Sequence, residues 1–575
     1  MPNTETKLNK RERYKEQMRP FDYFPELETL DFENLGEGDR YYLQDFGIFN
    51  AEFAEEEFTL RLRLPAGRLS AEKFQELAQI ITTYDLHIIM TARAGLQIFG
   101  LEADNILSVW KQVNAMGIST WQSFGDNIRN IVSDVYDGVG KYSEIEAYPI
   151  IMQMQEHILK NPRYVGMLPR RISVGISGNS VNVTSMFSND LYFALAQKEG
   201  VFGFNVYMGG KNTEVAADAD IFLLESEVID FFGAFVEAFY KHGSRFSRAK
   251  TRLFYLLEEI GMDGFKKHIA SEYGKTFNSG GRLQLEKARF SSYERLKDGT
   301  LSFCYETDFG RVNAKELEKI AAYAAEQNAE IRLGIDQNIY LMGLKEQCTE
   351  LESPKLSNTI LACAGSDYCP FSFWNIKDET SYLPLEKIDE HRIQIGFSGC
   401  AKGCGRHRHT DIGLIGLKTN NFGATDGGAR VFIGAEHTEG LSVGRTLFSM
   451  VPLEHLHSLI SLIIALYEES GLSEFEEYSA EVLNVFSEEF LALWFLANLQ
   501  TSQMLKLLPN ESLPSAQKGF AYEKALLEKY FEGLDFLDLI DDSFFEAISI
   551  LSRELWTIKG EDPHYKPPIE RHVYR

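Results

Sequence analysis

Two internal duplications constrain this chain more than any other feature. A strand–helix–strand pattern beginning at FTLRLRLPAG (58–67) recurs without a gap in LSFCYETDFGRVNAKELEKIAAYAAEQNAEIRLGIDQNIYLMGL (301–344). Gly67-Arg68 falls on Gly310-Arg311 and Gly100-Leu101 on Gly343-Leu344, with one offset at both ends (310 − 67 = 243; 343 − 100 = 243). A second duplication sets RISVGISGNSVNVTSMFSNDL (171–191) on RIQIGFSGCAKGCGRHRHTDI (392–412), at an offset of 392 − 171 = 221. Arg-Ile, Gly, Ser-Gly and Asp coincide, while Cys400 and Cys404 stand where the first copy has Asn179 and Val183. Long repeats that occur only twice predict a pseudo-two-fold protein rather than a solenoid. A shared site is expected between the halves.

Within the first repeat, Phe58, Leu60, Leu62 and Leu64 alternate with Thr59, Arg61 and Arg63, the period of a half-buried strand. One face of that strand carries Arg61 and Arg63. Pro65 and Gly67 end it. Ser70 caps an amphipathic helix that turns Phe74, Leu77 and Ile81 inward, and a second strand, LHIIMTARAGLQIFG, carries Arg93.

A chain of 575 residues is too long for one core, so two to four domains are expected. Its 58 Lys+Arg against 84 Asp+Glu give a formal charge of −26, which disfavours generic nucleic-acid binding. The first twenty residues are charged without an apolar core, unlike a secretory signal. The most apolar run, LISLIIALYEES (459–470), is too short to cross a bilayer and reads as core. The expectation is a cytoplasmic protein with no membrane partner. Residues 1–30 read as a surface tail or a docking arm, and 220–300 and 453–556 as mostly helical. The ending DPHYKPPIERHVYR reads as an extended basic tail.

Four of the six cysteines are spaced as ligands: Cys363 and Cys369 in LACAGSDYCPFSFW, Cys400 and Cys404 in GFSGCAKGCGRHRH. Four thiolates suit an iron–sulfur cluster. Zinc is the alternative, with His407 and His409 as possible contributors, although zinc knuckles are usually tighter. Cys304 and Cys348 are spares. RIQIGFSG alternates as a strand that Gly399 ends. Cys400 and Cys404 are then expected one helical turn apart, near a helix N-terminus whose dipole favours thiolates. Cys363 and Cys369 are expected on a loop folding over the other side.

Taken together, these segments resemble the sirohaem-dependent nitrite and sulfite reductase family. SGCAKGCGRHRHTDIGLIG with LACAGSDYCP resembles its paired cluster motifs. LRLRLPAG and TARAGLQIFG resemble its Arg-bearing strands, and FGDNIRNIV its Asn-Arg-Asn segment. MLPRRISVGISG resembles its Leu-Pro-Arg-Lys strand, and GFNVYMGG its Gly-rich turn. The match covers roughly residues 40–500 in consistent order.

The resemblance implies an α+β, pseudo-two-fold architecture with mixed sheets and a ferredoxin-like repeat pair. An N-terminal extension would occupy 1–50, and the paired ferredoxin-like halves 51–115 and 300–350. The two halves of the sirohaem domain would span 116–299 and 351–500, the second with the cysteines. A helical C-terminal region and basic tail would fill 501–575. By resemblance, Cys363, Cys369, Cys400 and Cys404 hold a [4Fe–4S] cluster, and Cys404 also bridges to sirohaem iron. Arg61, Arg129 and Arg171, with Ser173, would face the substrate, and Arg63, Arg93 and Arg170 the sirohaem carboxylates.

The implied reaction is six-electron reduction of nitrite to ammonia or of sulfite to sulfide. Ferredoxin or a similar one-electron carrier would supply the electrons, since the chain has no convincing G-x-G-x-x-G after a strand. The alternatives are a dissimilatory or detoxifying sulfite reductase, or a non-catalytic zinc- or cluster-binding scaffold. The family usually has Lys where this chain has Arg171, and Lys (sulfite) or Asn (nitrite) where it has Ser173. One cation fewer at 173 leans toward nitrite. Ser133 stands where some sulfite reductases have a cysteine, and Ile89 where some members have a further Arg.

Overall fold

A computed structural model describes residues 8–286, 290–353, 359–378, 380–419 and 426–486, with positions 488, 491, 492, 495, 508 and 509 beyond them. The chain divides into two compact units, Met1–Lys355 and Leu356–Arg575.

In the first unit the 243-residue repeat becomes two interlocked five-stranded sheets. One runs in the order Ile48–Ala51, Ala54–Arg61, Gly95–Leu101, His87–Thr91, Arg311–Val312, and the other Tyr293–Arg295, Leu301–Tyr305, Ile339–Leu344, Glu330–Leu333, Arg68–Leu69. Each repeat therefore lends a two-residue edge strand to the other's sheet. Arg68 and Leu69 lie opposite Arg332 and Ile331, and Arg311 and Val312 lie opposite Ile89 and Ile88. Adding 243 to 68, 69, 88 and 89 gives 311, 312, 331 and 332, so the exchange is reciprocal in register.

The helices obey the same offset. Ala71–Thr83 is capped by Ser70 and Ala314–Gln327 by Asn313, each side chain accepting a first-turn N–H. Phe74, Leu77, Ala78 and Ile81 share one core with Leu317, Ile320, Ala321 and Ala324, their partners at +243. The Arg-bearing strand stops earlier than its alternation predicts, at Arg61. Ala66 and Gly67 adopt left-handed backbone in a tight turn, and the Arg63 N–H turns away to Ser119 O at 2.8 Å.

The 221-residue repeat is equally literal. Val174–Ser177 runs parallel to Leu191–Lys198, and Ile395–Ser398 runs parallel to Ile412–Thr419. All four strand bounds of the first pair map onto the second by adding 221. Each parallel pair continues into antiparallel strands, so both sheets are mixed, as expected. An aspartate clamps each crossover: Asp190 Oδ2 accepts the Ser173 N–H at 2.8 Å, and Asp411 Oδ2 accepts the Gln394 N–H at 2.8 Å.

Long helices follow each sheet, Val228–His242 and Leu453–Ser470. The apolar stripe at 459–467 is core, with Leu459, Ile460, Ile463 and Ile464 fully buried. Among the described residues, no helix is long and apolar enough to cross a membrane. The expected basic C-terminal tail and most of the helical reading beyond 486 lie outside the described residues.

The N-terminus, from Asn9 onward, is neither a loose tail nor a free arm. The helix Lys10–Gln17 buries Glu12 and Lys15. Lys15 Nζ bonds Glu12 Oε1 at 2.6 Å and Leu168 O at 2.6 Å, and pairs with Asp126 Oδ2 at 3.1 Å. Arg248 grips the same Asp126 with both terminal nitrogens, at 2.8 and 2.6 Å. A buried carboxylate needs such partners, and no period-based signal reveals them.

Burial alone would raise the Asp126 carboxyl, but Lys15 and then Arg248 outweigh it and hold the group well below the usual carboxylate range. The charge is thus worth stability above the unfolded-state carboxyl pKa of about 3.9, and that stability is lost as pH falls toward the depressed folded value. Asp126→Asn, which removes the buried carboxylate that Lys15 and Arg248 share, is predicted to cost about 2–4 kcal/mol at pH 7. The gap from the parent should be constant from about pH 5 to 8 and narrow below about pH 4. Urea unfolding across that range would test this, and a gap that widens in acid would refute it.

Candidate functional site

The cysteines gather because of the parallel sheet in the second unit. Ile360–Ala362 and Ile395–Ser398 are parallel neighbours, so their C-terminal ends emerge side by side. Cys363 is the next residue on one strand, and Cys400 lies two past the end of the other. The Gly399 N–H donates to Cys363 Sγ at 3.1 Å. The loop carrying Cys369 folds back onto Gly399, with the Phe373 N–H on Gly399 O at 3.0 Å. A Cβ at Gly399 would stand 1.9 Å from Ser372 Oγ, so only glycine allows the loop to close there.

Residues 400–409 are turns rather than the helical turn the spacing predicts. Gly403 (φ +71) and Arg406 (φ +55) adopt left-handed backbone, which stops a helix from propagating. The thiolates must therefore be favoured by individual amides rather than by a helix dipole.

Burial pushes the Cys363 thiol up to about 12 and Cys400 up to about 11, and raises Cys369. Cys404 is a charge neighbour of all three, and it is the exposed member of the set. Backbone N–H groups oppose the rise: Gly399 and Gly365 at Cys363, Phe371 and Ser372 at Cys369, and Lys402 at Cys400. Lys377 adds a cation near Cys363, and Lys402 one near Cys369 and Cys400.

Half-buried thiols ringed by amide donors stay protonated until a cation replaces the proton, which is the chemistry of metal–thiolate ligation. Among the described residues, no three or more His, Cys, Asp or Glu side chains converge as ligands of a single ion. His407 is buried within the turn, its Nδ1 at 3.1 Å from Ser398 Oγ, and Ser398 Oγ also accepts the Gly405 N–H at 3.0 Å. Burial, then Arg408, pushes its imidazole down to about 3, so it braces the turn as a neutral ring.

The first unit holds the arginines. Burial, then Arg61 and Arg171, and also Arg93, push the Arg129 guanidinium well below its ordinary value, against the opposing pull of Asp126. Four of the expected arginines thus share one electrostatic neighbourhood. Arg170 joins it through Arg171 and Arg248, pushed down to about 9 chiefly by burial. Arg61 lies over the Phe124 ring, 3.8 Å from its centroid. Arg93 bonds Asn189 Oδ1 at 2.7 Å and Asn130 O at 2.5 Å. Among the described residues, buried Arg129 Nε, Arg170 Nε, Asn130 Oδ1 and Ser133 Oγ have no hydrogen-bond partner. Clustered like charges with the orphaned donors Arg129 Nε and Arg170 Nε fit an anionic ligand.

Two expected site residues are committed elsewhere. Arg63 is buried, and all five of its N–H donors are used on Trp121 O, Gln122 O, Ile128 O, Arg129 O and Gln155 Oε1. It knits the 121–129 loop and has no donor left for a cofactor carboxylate. Ser173 Oγ donates to Asp190 Oδ2 at 2.6 Å and accepts the Asp190 N–H at 3.0 Å, so it cannot also donate to a substrate. Asp190 is in turn held by Arg252, whose Nε and Nη2 lie 3.1 and 2.6 Å from Oδ1.

A family model described as the nitrite and sulphite reductase 4Fe-4S domain matches residues 124–277 and 378–479. Another, the nitrite/sulfite reductase ferredoxin-like half domain, matches 54–116. The chain belongs to the nitrite and sulphite reductase family. The matched segments include Arg61, Arg63 and Arg93 in the half domain, and Arg129, Arg171, Cys400 and Cys404 in the 4Fe-4S domain.

Among its relatives, the ferredoxin–nitrite reductase of Synechococcus elongatus is 28% identical over 80% of this chain and 97% of its own length. The chloroplastic ferredoxin–nitrite reductase of Arabidopsis thaliana is 26% identical over 80% of this chain and 86% of its own. The solved structure of Mycobacterium tuberculosis NirA protein shares the fold, with a TM-score of 0.75 over 84% of this chain and 97% of that one, at 20% identity.

Within this reductase family frame, sequence reasoning missed Asp126, Asp190, Arg248, Arg252 and Lys402. Only Lys402, inside the C-x3-C itself, was signalled by spacing. Ile89, where a further Arg was noted in some members, is buried on a ladder position opposite Arg311.

Proposed function

We propose that this chain reduces nitrite to ammonium, using a [4Fe–4S] cluster on Cys363, Cys369, Cys400 and Cys404 and a sirohaem that shares the Cys404 sulfur. The observation that carries this reading is the cysteine arrangement, in which Cys404 neighbours all three other thiols and is the most exposed. The overall change consumes one nitrite, six electrons and eight protons, and releases one ammonium and two waters. When bound, the iron cofactors supply the redox chemistry.

The protein's own residues bind and orient. Arg61, Arg129 and Arg171 offer fixed cations to an oxyanion, at little reorganisation cost because burial and carbonyl contacts already hold Arg129. Arg93 and Arg170 would answer the macrocycle's carboxylates. Arginine does not readily release a proton, so the eight protons would arrive through water. Ferredoxin is the proposed donor, following the relatives' names. Position 173 contributes no cation, and its hydroxyl is held by Asp190, which favours the singly charged nitrite over sulfite.

Purified, iron-loaded protein assayed with reduced ferredoxin or viologen should give a higher kcat/KM for nitrite than for sulfite. The reverse order would overturn the substrate assignment. A colourless protein containing zinc and no acid-labile sulfide would overturn the reductase reading altogether.

A further inference from the structure

In the second half, the turn after Ile395–Ser398 carries Cys400 and Cys404. The matching turn after Val174–Ser177 carries Asn179 and Val183, and there a carboxylate occupies the centre. Asp134 Oδ1 accepts Asn179 Nδ2–H at 2.9 Å and the Tyr136 N–H at 2.9 Å, while Oδ2 accepts the Val183 N–H at 2.7 Å. Asp134 is only 2% exposed. The two positions that are cysteines in one copy are thus bound to a built-in anion in the other.

Asp134 also ends a run that matters to the proposed chemistry. Residues 128–134 lie along the first strand of this sheet. The Arg129 N–H bonds Ile172 O at 2.8 Å, the Val132 N–H bonds Val174 O at 3.2 Å, and the Ile176 N–H bonds Val132 O at 3.0 Å. The run carries Arg129 and Asn130, and Asn130 O receives Arg93. Asp134 is the anchor beyond the last of these backbone bonds.

We propose that Asp134 is a positioning residue for the anion reduction: seated in the first half's counterpart of the cysteine turn, it holds the run 128–134 in register and with it the Arg129 guanidinium. The proposal rests on the reading of Arg129 as a substrate cation. A carboxylate is required because three donors converge on two oxygens, and an amide would turn its own NH2 toward one of them.

The test is Asp134→Asn in the full-length, cofactor-loaded protein. The KM for nitrite should rise about tenfold with kcat within about twofold, the size of effect a sub-ångström displacement of a binding group produces. Iron and labile sulfide should be unchanged. Hydrogen exchange of the 128–134 peptide should quicken at least about tenfold while Leu191–Lys198 keeps its protection.

Asn179→Ala, which removes one donor and leaves the run itself untouched, should move both readings the same way by less. A fall in kcat at unchanged KM, or wild-type exchange over 128–134 in both variants, would overturn the proposal. If the parent protein reduced neither nitrite nor sulfite, the functional reading would fall, and exchange alone would decide the role of Asp134.

Discussion

If Cys404 has the proposed shared-sulfur role, Cys404→Ser is expected to lose nitrite turnover by several orders of magnitude, since the electron route behind an acceleration of typically ~10⁶-fold or more would go with it. The other three cysteines are half-buried and hold their own amide donors, so their geometry does not depend on Cys404. Cys404 is instead the neighbour they share. A serine hydroxyl is a much poorer anion than a thiolate and would not carry the shared-sulfur role. The variant should keep protein-bound iron and labile sulfide while its visible spectrum and reduction kinetics change. Full turnover in Cys404→Ser would refute the bridging assignment. Turnover and iron lost together would show Cys404 to be an ordinary cluster ligand.

Arg63→Met should destabilise the first unit by about 4 kcal/mol or more, because several buried acceptors are orphaned at once and each costs ~1–3 kcal/mol. The side chain is buried, its guanidinium is pushed down to about 9 by burial, and its five donors serve four carbonyls and Gln155. Methionine matches much of the stem and supplies none of the donors. Arg63→Lys should recover only part of the loss, because three ammonium donors cannot span the same fan of acceptors. Denaturant unfolding would measure both. A cost below about 1 kcal/mol for Met would mean that the 121–129 loop is held by something other than this arginine.

The alternation around Arg61 and Arg63 illustrates the limit of reading a strand by period. Period two places both side chains on one face, and that holds only while the backbone stays extended. Here the strand ends at Arg61 and the chain turns through Ala66 and Gly67, so Arg63 enters the interior instead of joining Arg61. Likewise, C-x3-C spacing suits a helix, but Gly403 and Arg406 in left-handed backbone decide for turns, and arginine at such a position carries no sequence warning. The N-terminal helix reads as a tail because its buried residues are Glu12 and Lys15, charges that pair with each other and also need distant partners, Asp126 and Arg245.

The sequence by itself determined the doubled architecture, because equal offsets survive as equal hydrogen-bond registers: 243 in the exchanged edge strands and 221 in the parallel crossovers. It also marked four cysteines as one spaced ligand set, and the fold brings their loops side by side because Ile360–Ala362 and Ile395–Ser398 pair in parallel. Only the tertiary structure decided which polar side chains meet which partners. Arg63 and Ser173 are consumed by carbonyls and a carboxylate, whereas Arg61, Arg93, Arg129 and Arg171 are drawn into one cationic group. Repeats and spacing are properties of the backbone's order along the chain. The assignment of a hydrogen bond depends on which distant groups burial brings within about 3 Å, and that is fixed only when the chain is folded.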